Sequence, residues 1–295
     1  MFSRFPHRLI HTDDMQRRLQ IALAVLLAAI AGVVWQILRP REPGPVYQGK
    51  ALRVWLREYA GWDVAPEEWA RAKAGAEHAV RQIGTNSIPP LLKMVRKMES
   101  PRRAGLIDWW DQHLANRNRL PAWIQHPAWY KNQARYLNME GEIGFKILGS
   151  DAQQAAPELI SIYESTLSMD SVTSMNSRIA VIRSLIDIGP AATPYFLRWA
   201  GSTNEEKRLT AVHALSQIRS APSDVVPVLV EFLSHTNPLV RTEAAEGLGS
   251  FGTNAQPALR ALVSVLNDQN SLVRSAATNA LRQIDPEAAG KAGVK

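Results

Sequence analysis

Two short stretches hold residue types that do chemistry. Asp108, Asp111 and His113 fall within Asp-Trp-Trp-Asp-Gln-His, and carboxylate oxygen with imidazole nitrogen is a donor set that suits a divalent metal. Gly247-Leu-Gly249-Ser-Phe-Gly252 has the spacing with which backbone N–H groups hold a dinucleotide pyrophosphate. The first spacing is not diagnostic of a metal, and a solvated helix face accounts for it. The other six of the seven histidines are scattered and there is no cysteine, which removes disulfides, thiolate metal sites and cysteine nucleophiles. H-E-x-x-H, G-x-S-x-G and a Walker loop are missing, so metalloprotease, serine-hydrolase and P-loop chemistry have no motif to rest on. The sequence therefore reads as non-catalytic, with no metal, cofactor or small-molecule ligand expected.

The glycines are explained by the elements that position them. "LVRTEAAEGLGSFG" (239–252) and "LVRSAATNALRQID" (272–285) align without gaps at an offset of 33 residues. "KRLTAVHALSQIR" (207–219) and "SRIAVIRSLIDIG" (177–189) extend the series towards the N-terminus. Arg178, Arg208, Arg241 and Arg274 share one column. Three residues on stand Val181, Ala211, Ala244 and Ala277; six on, Ser184, Ala214, Gly247 and Ala280; seven on, Leu185, Leu215, Leu248 and Leu281; ten on, Ile188, Ile218, Phe251 and Ile284. Offsets of 3, 6, 7 and 10 keep to one helix face. Gly247 thus belongs to a small-residue column inside a helix, where a neighbouring helix comes close. Gly189 and Gly252 fall just past a helix end, where glycine takes a left-handed backbone without penalty. Pro194 and Pro257 follow five residues later, a placement that suits the first turn of the next helix. A dinucleotide loop needs a strand before its glycines; here a helix runs through them, so the nucleotide reading fails.

Worn copies stand at 73–92, with Ala76, Ala79, Val80, Ile83, Gly84 and Pro89 in column, and at 141–160, with Gly141, Gly144, Phe145, Leu148, Gly149 and Pro157. The pattern predicts an all-α fold, an α-solenoid of about six helix-turn-helix repeats over 69–295. The last repeat is truncated, since 286–295 is too short for a full second helix.

These columns resemble HEAT-like repeats, in particular the short bacterial kind that includes the phycobilisome-lyase type. The residues carrying the resemblance are Val240-Arg241, Ala244-Ala245, Leu248-Gly249, Val273-Arg274, Ala277, Ala280-Leu281 and the Gly-to-Pro turns. It is good over 177–285 and degenerate over 70–168. It implies that the column arginines help to join successive repeats. No residue supports carrying over the lyases' pigment chemistry. "VYQGKALRVWL" (46–56) resembles, more weakly, a juxtamembrane stretch of membrane-anchored bacterial HEAT-repeat proteins.

Residues 19–38, LQIALAVLLAAIAGVVWQIL, carry no charge. As a helix they span about 30 Å, the thickness of a bilayer hydrocarbon core. Ala29-Ile30-Ala31 fits a signal-peptide cleavage site, but the apolar run continues through Trp35, which favours an uncleaved anchor. A tail (1–18) precedes it, and a proline-containing spacer with a short helix (39–68) follows. Arg4, Arg8, Arg17 and Arg18 before the span face Arg39, Arg41, Lys50, Arg53 and Arg57 after it, so charge alone does not orient it. A short tail before a single span is expected to stay inside. The expected location is therefore a bacterial inner membrane, with the large domain outside the cytoplasm.

An insert at about 99–137 departs from the repeat. Trp109, Trp110, Trp123, Trp129 and Tyr130 stand there beside Arg102, Arg103, Arg117 and Arg119. Aromatics among cations suit a protein hot spot, stacking on nucleic-acid bases or contact with anionic headgroups, while packing of the insert onto the repeats accounts for them more readily than any of these. These residues are the candidate partner-binding set. The whole chain carries a formal charge of +7, which favours acidic partners without selecting one. The expected function is a membrane-anchored scaffold binding another protein. The alternative is an enzyme or accessory subunit with a pocket formed by the insert. An extracytoplasmic domain disfavours nucleic acid as a partner.

Overall fold

The computed structural model describes residues 44–62, 64–110, 113, 134–169 and 172–291. No helix among them is long and apolar enough to cross a membrane; the tail and the apolar run 19–38 lie outside the described residues.

A hairpin comes first. β1 (Val46–Tyr47) pairs antiparallel with β2 (Lys50–Ala51), Val46 opposite Ala51 and Tyr47 opposite Lys50. Gln48 and Gly49 between them have φ of 48° and 77°, the two positive values a type I′ turn requires. β2 runs directly into α1 (Leu52–Ala60). Leu52, Trp55 and Leu56 bury one face of α1, and the Trp55 indole N–H donates to the Tyr47 carbonyl at 3.3 Å. The sequence reads this segment as spacer and short helix; Tyr47, Leu52, Trp55, Leu56 and Tyr59 of it pack onto the repeat core.

Six units follow. They are α2 (Trp69–Ile83) with α3 (Ile88–Val95), then, after α4 (Pro101–Trp110) of the insert, α5 (Ala134–Leu148) with α6 (Ala156–Thr166). Next come α7 (Val172–Ile188) with α8 (Thr193–Ala200) and α9 (Glu205–Ile218) with α10 (Pro222–Phe232). The last two are α11 (Pro238–Ser250) with α12 (Leu259–Ser264) and α13 (Ser271–Ile284) with the short α14 (Pro286–Lys291). First helices pack on first helices of neighbouring units, and each second helix packs against the first helix of the next.

In four units a 3₁₀ turn joins the pair, beginning at Gly84, Gly149, Gly189 or Gly252. Their φ values are 58°, 54°, 80° and 55°, so only glycine sits there without strain. Pro194 stands in the first turn of α8. Pro257 instead lies inside the 3₁₀ turn Gly252–Ala258, because that turn runs seven residues where Gly189–Ala192 runs four. The fourth unit breaks the rule: Arg219 fills the glycine column and still takes φ 52°. A left-handed non-glycine residue costs about 1–2 kcal/mol, partly offset by the unfolded-state entropy of glycine. Since the Arg219 side chain is exposed, Arg219→Gly stabilises the domain by about 0.5–1 kcal/mol. Urea unfolding of residues 44–295, a compact unit in itself, measures it; a lower midpoint in the variant overturns the strain argument.

Asn204, Asn237 and Asn270 cap α9, α11 and α13, each side chain accepting from a backbone N–H in the first turn. Close approach between first helices falls where the small column predicts. A Cβ on Gly247 would stand 2.6 Å from Ser216 Cβ, and one on Gly249 would stand 2.9 Å from Ala280 Cα. At the C-terminal end α14 covers α13 with the buried Ala289. Arg274, Ser275 and Arg282 stand exposed on α13 beside the exposed Leu272.

Candidate partner-binding groove

The first-helix layer is joined by charges. Arg53 of α1 donates to buried Glu140 of α5 at 2.5 and 3.2 Å. Arg183 of α7 donates to Glu142 of α5 at 3.3 Å. Arg178 of α7 meets Glu206 of α9 at 3.2 Å, and His213 of α9 meets Glu243 of α11. Arg241 of α11 forms a two-point pair with Asp268, both contacts at 2.8 Å, which pulls the Asp268 carboxyl below the usual carboxylate range.

The four column arginines share a place and divide the work. Arg241 Nη1 also donates to the carbonyls of His235 and Thr236, and Arg274 does the same to Asp268 and Gln269. Both therefore hold the loop before their own helix, and Arg241 adds the bond to the next unit. Arg178 reaches the next unit through Glu206. Arg208 turns to Glu205 on its own helix: six residues before the following arginine, where Arg241 finds Asp268, Arg208 has His235.

Between α7 and α9 the layer opens. These helices touch less than α5 and α7, α9 and α11, or α11 and α13 do. In the column where α9 carries Ser216 and α11 carries Gly249, α7 carries Ile186, and the larger side chain accompanies the wider spacing. The gap is an open groove of about 470 Å³. Met175, Ile179, Ile182 and Leu209 give it an apolar lining, and Met175 and Ile179 are 55% and 41% exposed. Beneath, the buried Tyr163 hydroxyl and the Thr210 hydroxyl are 2.9 Å apart. Burial pushes the Tyr163 pKa up, so the phenol stays protonated at neutral pH. Arg178 and Glu206 close one end; Arg183, His213 and Glu243 stand at the other.

His213 is the imidazole of this groove. Its bond to the Glu243 carboxylate raises its pKa above 6.5, against opposing effects of burial and of Arg183. A raised folded-state pKa stabilises fully below the unfolded value and is lost as pH rises through the folded one. Burial also holds Glu142 and Asp187 above their ordinary values, and they act in the same sense at lower pH. The domain accordingly loses stability on going from pH 6 to pH 9, and His213→Gln removes that part of the slope. The loss is below about 1 kcal/mol, as for other half-exposed pairs. Urea midpoints across this range test it; an unchanged slope in the variant overturns the assignment.

The groove is not where the sequence placed the candidate partner-binding set. Of that set, Trp109 and Arg102 lie exposed on α4, and Arg103 pairs with Glu99 at 3.1 Å. Trp110 ends α4. Trp123, Trp129, Tyr130, Arg117 and Arg119 lie outside the described residues. His113 stacks on Trp109 with ring centroids 5.1 Å apart, and its Nδ1–H donates to the Trp109 carbonyl at 2.8 Å; Asp111 lies outside the described residues. Among the described residues no group of three or more acidic or histidine side chains gathers as a metal site. A signal for the groove was available: Ile186 is the one large apolar residue in a column that otherwise holds Arg81, Lys146, Ser216, Gly249 and Arg282, and Ile179 stands beside Arg178 on a face with no partner in the repeat pattern.

One comparison falls on this arrangement of helix pairs. Residues 220–282 match the family model for HEAT repeats, and the described residues as a whole form an all-α, solenoid-like domain of stacked helix pairs. No curated protein matches the chain. Among solved structures it is similar to human deoxyhypusine hydroxylase in complex with glycerol, at 15% identity and a TM-score of 0.35, covering 80% of this chain and 97% of that one. A likeness at that level says nothing about chemistry.

Proposed function

We propose that the protein is a non-catalytic, membrane-anchored scaffold that binds another protein through its repeat surface, at the groove between α7 and α9. The observation that carries this reading is the apolar lining: two large side chains, Met175 and Ile179, stand exposed at a concavity ringed by charge. Concave apolar surface with a polar rim is the anatomy of a binding site. HEAT repeats, whose surfaces typically mediate protein binding, supply the frame. The anchor is the uncharged run 19–38, with the repeats on the extracytoplasmic side of a bacterial inner membrane. The enzyme alternative draws on the Trp-rich insert, most of which lies outside the described residues, and no observation favours it.

Two experiments test the parts separately. A photo-crosslinking residue at Ile179 of the full chain, in cells, is expected to capture a protein that the same residue at the exposed Arg282 of α13 does not. Equal capture at both positions, or none, removes the groove from the proposal. C-terminal alkaline phosphatase and green fluorescent protein fusions test the anchor: phosphatase activity is expected, and fluorescence alone places the repeats inside.

A further inference from the structure

The two ends of the groove present opposite charges to solvent. At one end Arg178 is 17% exposed and its partner Glu206 is 48% exposed, so the carboxylate faces outward. At the other, Arg183 is 62% exposed and Glu142, its partner at 3.3 Å, is 22% exposed, so a guanidinium faces outward. His213 and Glu243 stand beside it and satisfy each other. The Gln217 amide, 3.0 Å from the other ring nitrogen of His213, completes that imidazole's bonding. Arg178 and Arg183 are five positions apart on α7, which separates the ends by about 7.5 Å along the axis. Ile179, Ile182 and Leu209 lie between.

We propose that the groove takes an amphipathic segment of the partner protein. It sets a bulky apolar side chain over Ile179 and Leu209, an acidic residue towards Arg183 and a basic residue towards Glu206. This rests on the scaffold reading and adds the chemistry of the partner to it. The spacing suits a helical segment: an acid and a base one turn apart lie about 6 Å from each other on one face, beside the apolar residue that fills the lining. Charges at a rim select and orient a partner more than they hold it, so the apolar residue supplies the affinity and the two charges set the direction in which the segment lies.

The test selects short random peptides displayed on phage against the full chain in detergent, and in parallel against Arg183→Glu and Glu206→Lys. The first is a highly exposed position and the second a half-exposed one, so neither disturbs the core. The wild-type chain is expected to enrich peptides with a large apolar residue flanked by an acid and a base one helical turn apart. Those peptides bind Arg183→Glu about tenfold more weakly, and selection on Arg183→Glu places a base where the acid stood. Enriched peptides lacking the pattern, or indifferent to both reversals, or no enrichment at all, overturn the proposal. A capture from Ile179 in cells combined with peptides of another pattern overturns the charge pattern alone. Pattern-matched peptides without any capture in cells remove the groove from the scaffold reading instead.

Discussion

Gly144→Val costs the repeat domain about 3 kcal/mol, the upper range for overfilling a packed core. Even a single Cβ at Gly144 would stand 2.2 Å from Leu91 Cδ2 and 2.7 Å from Leu91 Cδ1. Leu91 is fully buried in α3 and has no room to retreat. One turn earlier on α5, a Cβ on Gly141 would meet the Leu91 carbonyl at 3.1 Å and Val95 Cγ1 at 2.6 Å. The two glycines therefore let α5 lie against α3 at backbone distance, and a branched side chain forces the helices apart. Higher helix propensity offsets only about 0.5 kcal/mol of this, since valine gains little over glycine. Leu91→Ala, itself costly by about 2–5 kcal/mol, leaves the space that the valine needs. The double variant is thus expected to be more stable than the sum of the two losses. Urea unfolding of residues 44–295 reads all three, and strict additivity rejects the contact as the cause.

Arg53→Met costs about 3 kcal/mol, the loss expected when one member of a buried pair is removed. The Glu140 side chain is 1% exposed and that of Arg53 is 29% exposed, so the two members are unequal. Removing the arginine leaves a carboxylate inside the protein, whereas Glu140→Gln leaves a guanidinium that reaches water. Arg53→Met is therefore the more damaging change, and Arg53→Met with Glu140→Met recovers much of the loss because the buried carboxylate goes together with the guanidinium. The pair joins α1 to α5 across 87 residues, so its loss also frees the hairpin and α1 before the rest unfolds. Amide hydrogen exchange over 46–60 is expected to rise first in the variant. Uniform acceleration along the whole domain contradicts this order.

Helix pairs and their turns were legible because each obeys a local rule repeated at fixed spacing. The left-handed glycines and the small column at Gly247 announce themselves by position. The same register held the capping asparagines, Asn204, Asn237 and Asn270, at offsets of 33 residues, a column that reading from the arginines passed over. Arg219 shows the limit of the rule: its side chain gives no hint of a positive φ, which the neighbouring helices impose. The groove was illegible for a different reason. It depends on the distance between α7 and α9, which the fit of facing side chains sets, whereas a column records only which residues face inward. The tryptophans of the insert are conspicuous in composition, and the repeat pattern does not determine their placement.

The seam at the groove has a mechanical consequence. In a linear stack every unit is held by its neighbours alone, so rigidity is set seam by seam. Units three and four share little through α7 and α9 and rely on α8 lying against α9. Such a joint resists pulling apart better than it resists bending, as a door on a single hinge line does. The first helices touch least at this seam and at the one between α2 and α5, and the stack bends most readily at those two places. Whatever fills the groove wedges its seam at one angle, and a force that closes the seam squeezes the occupant out.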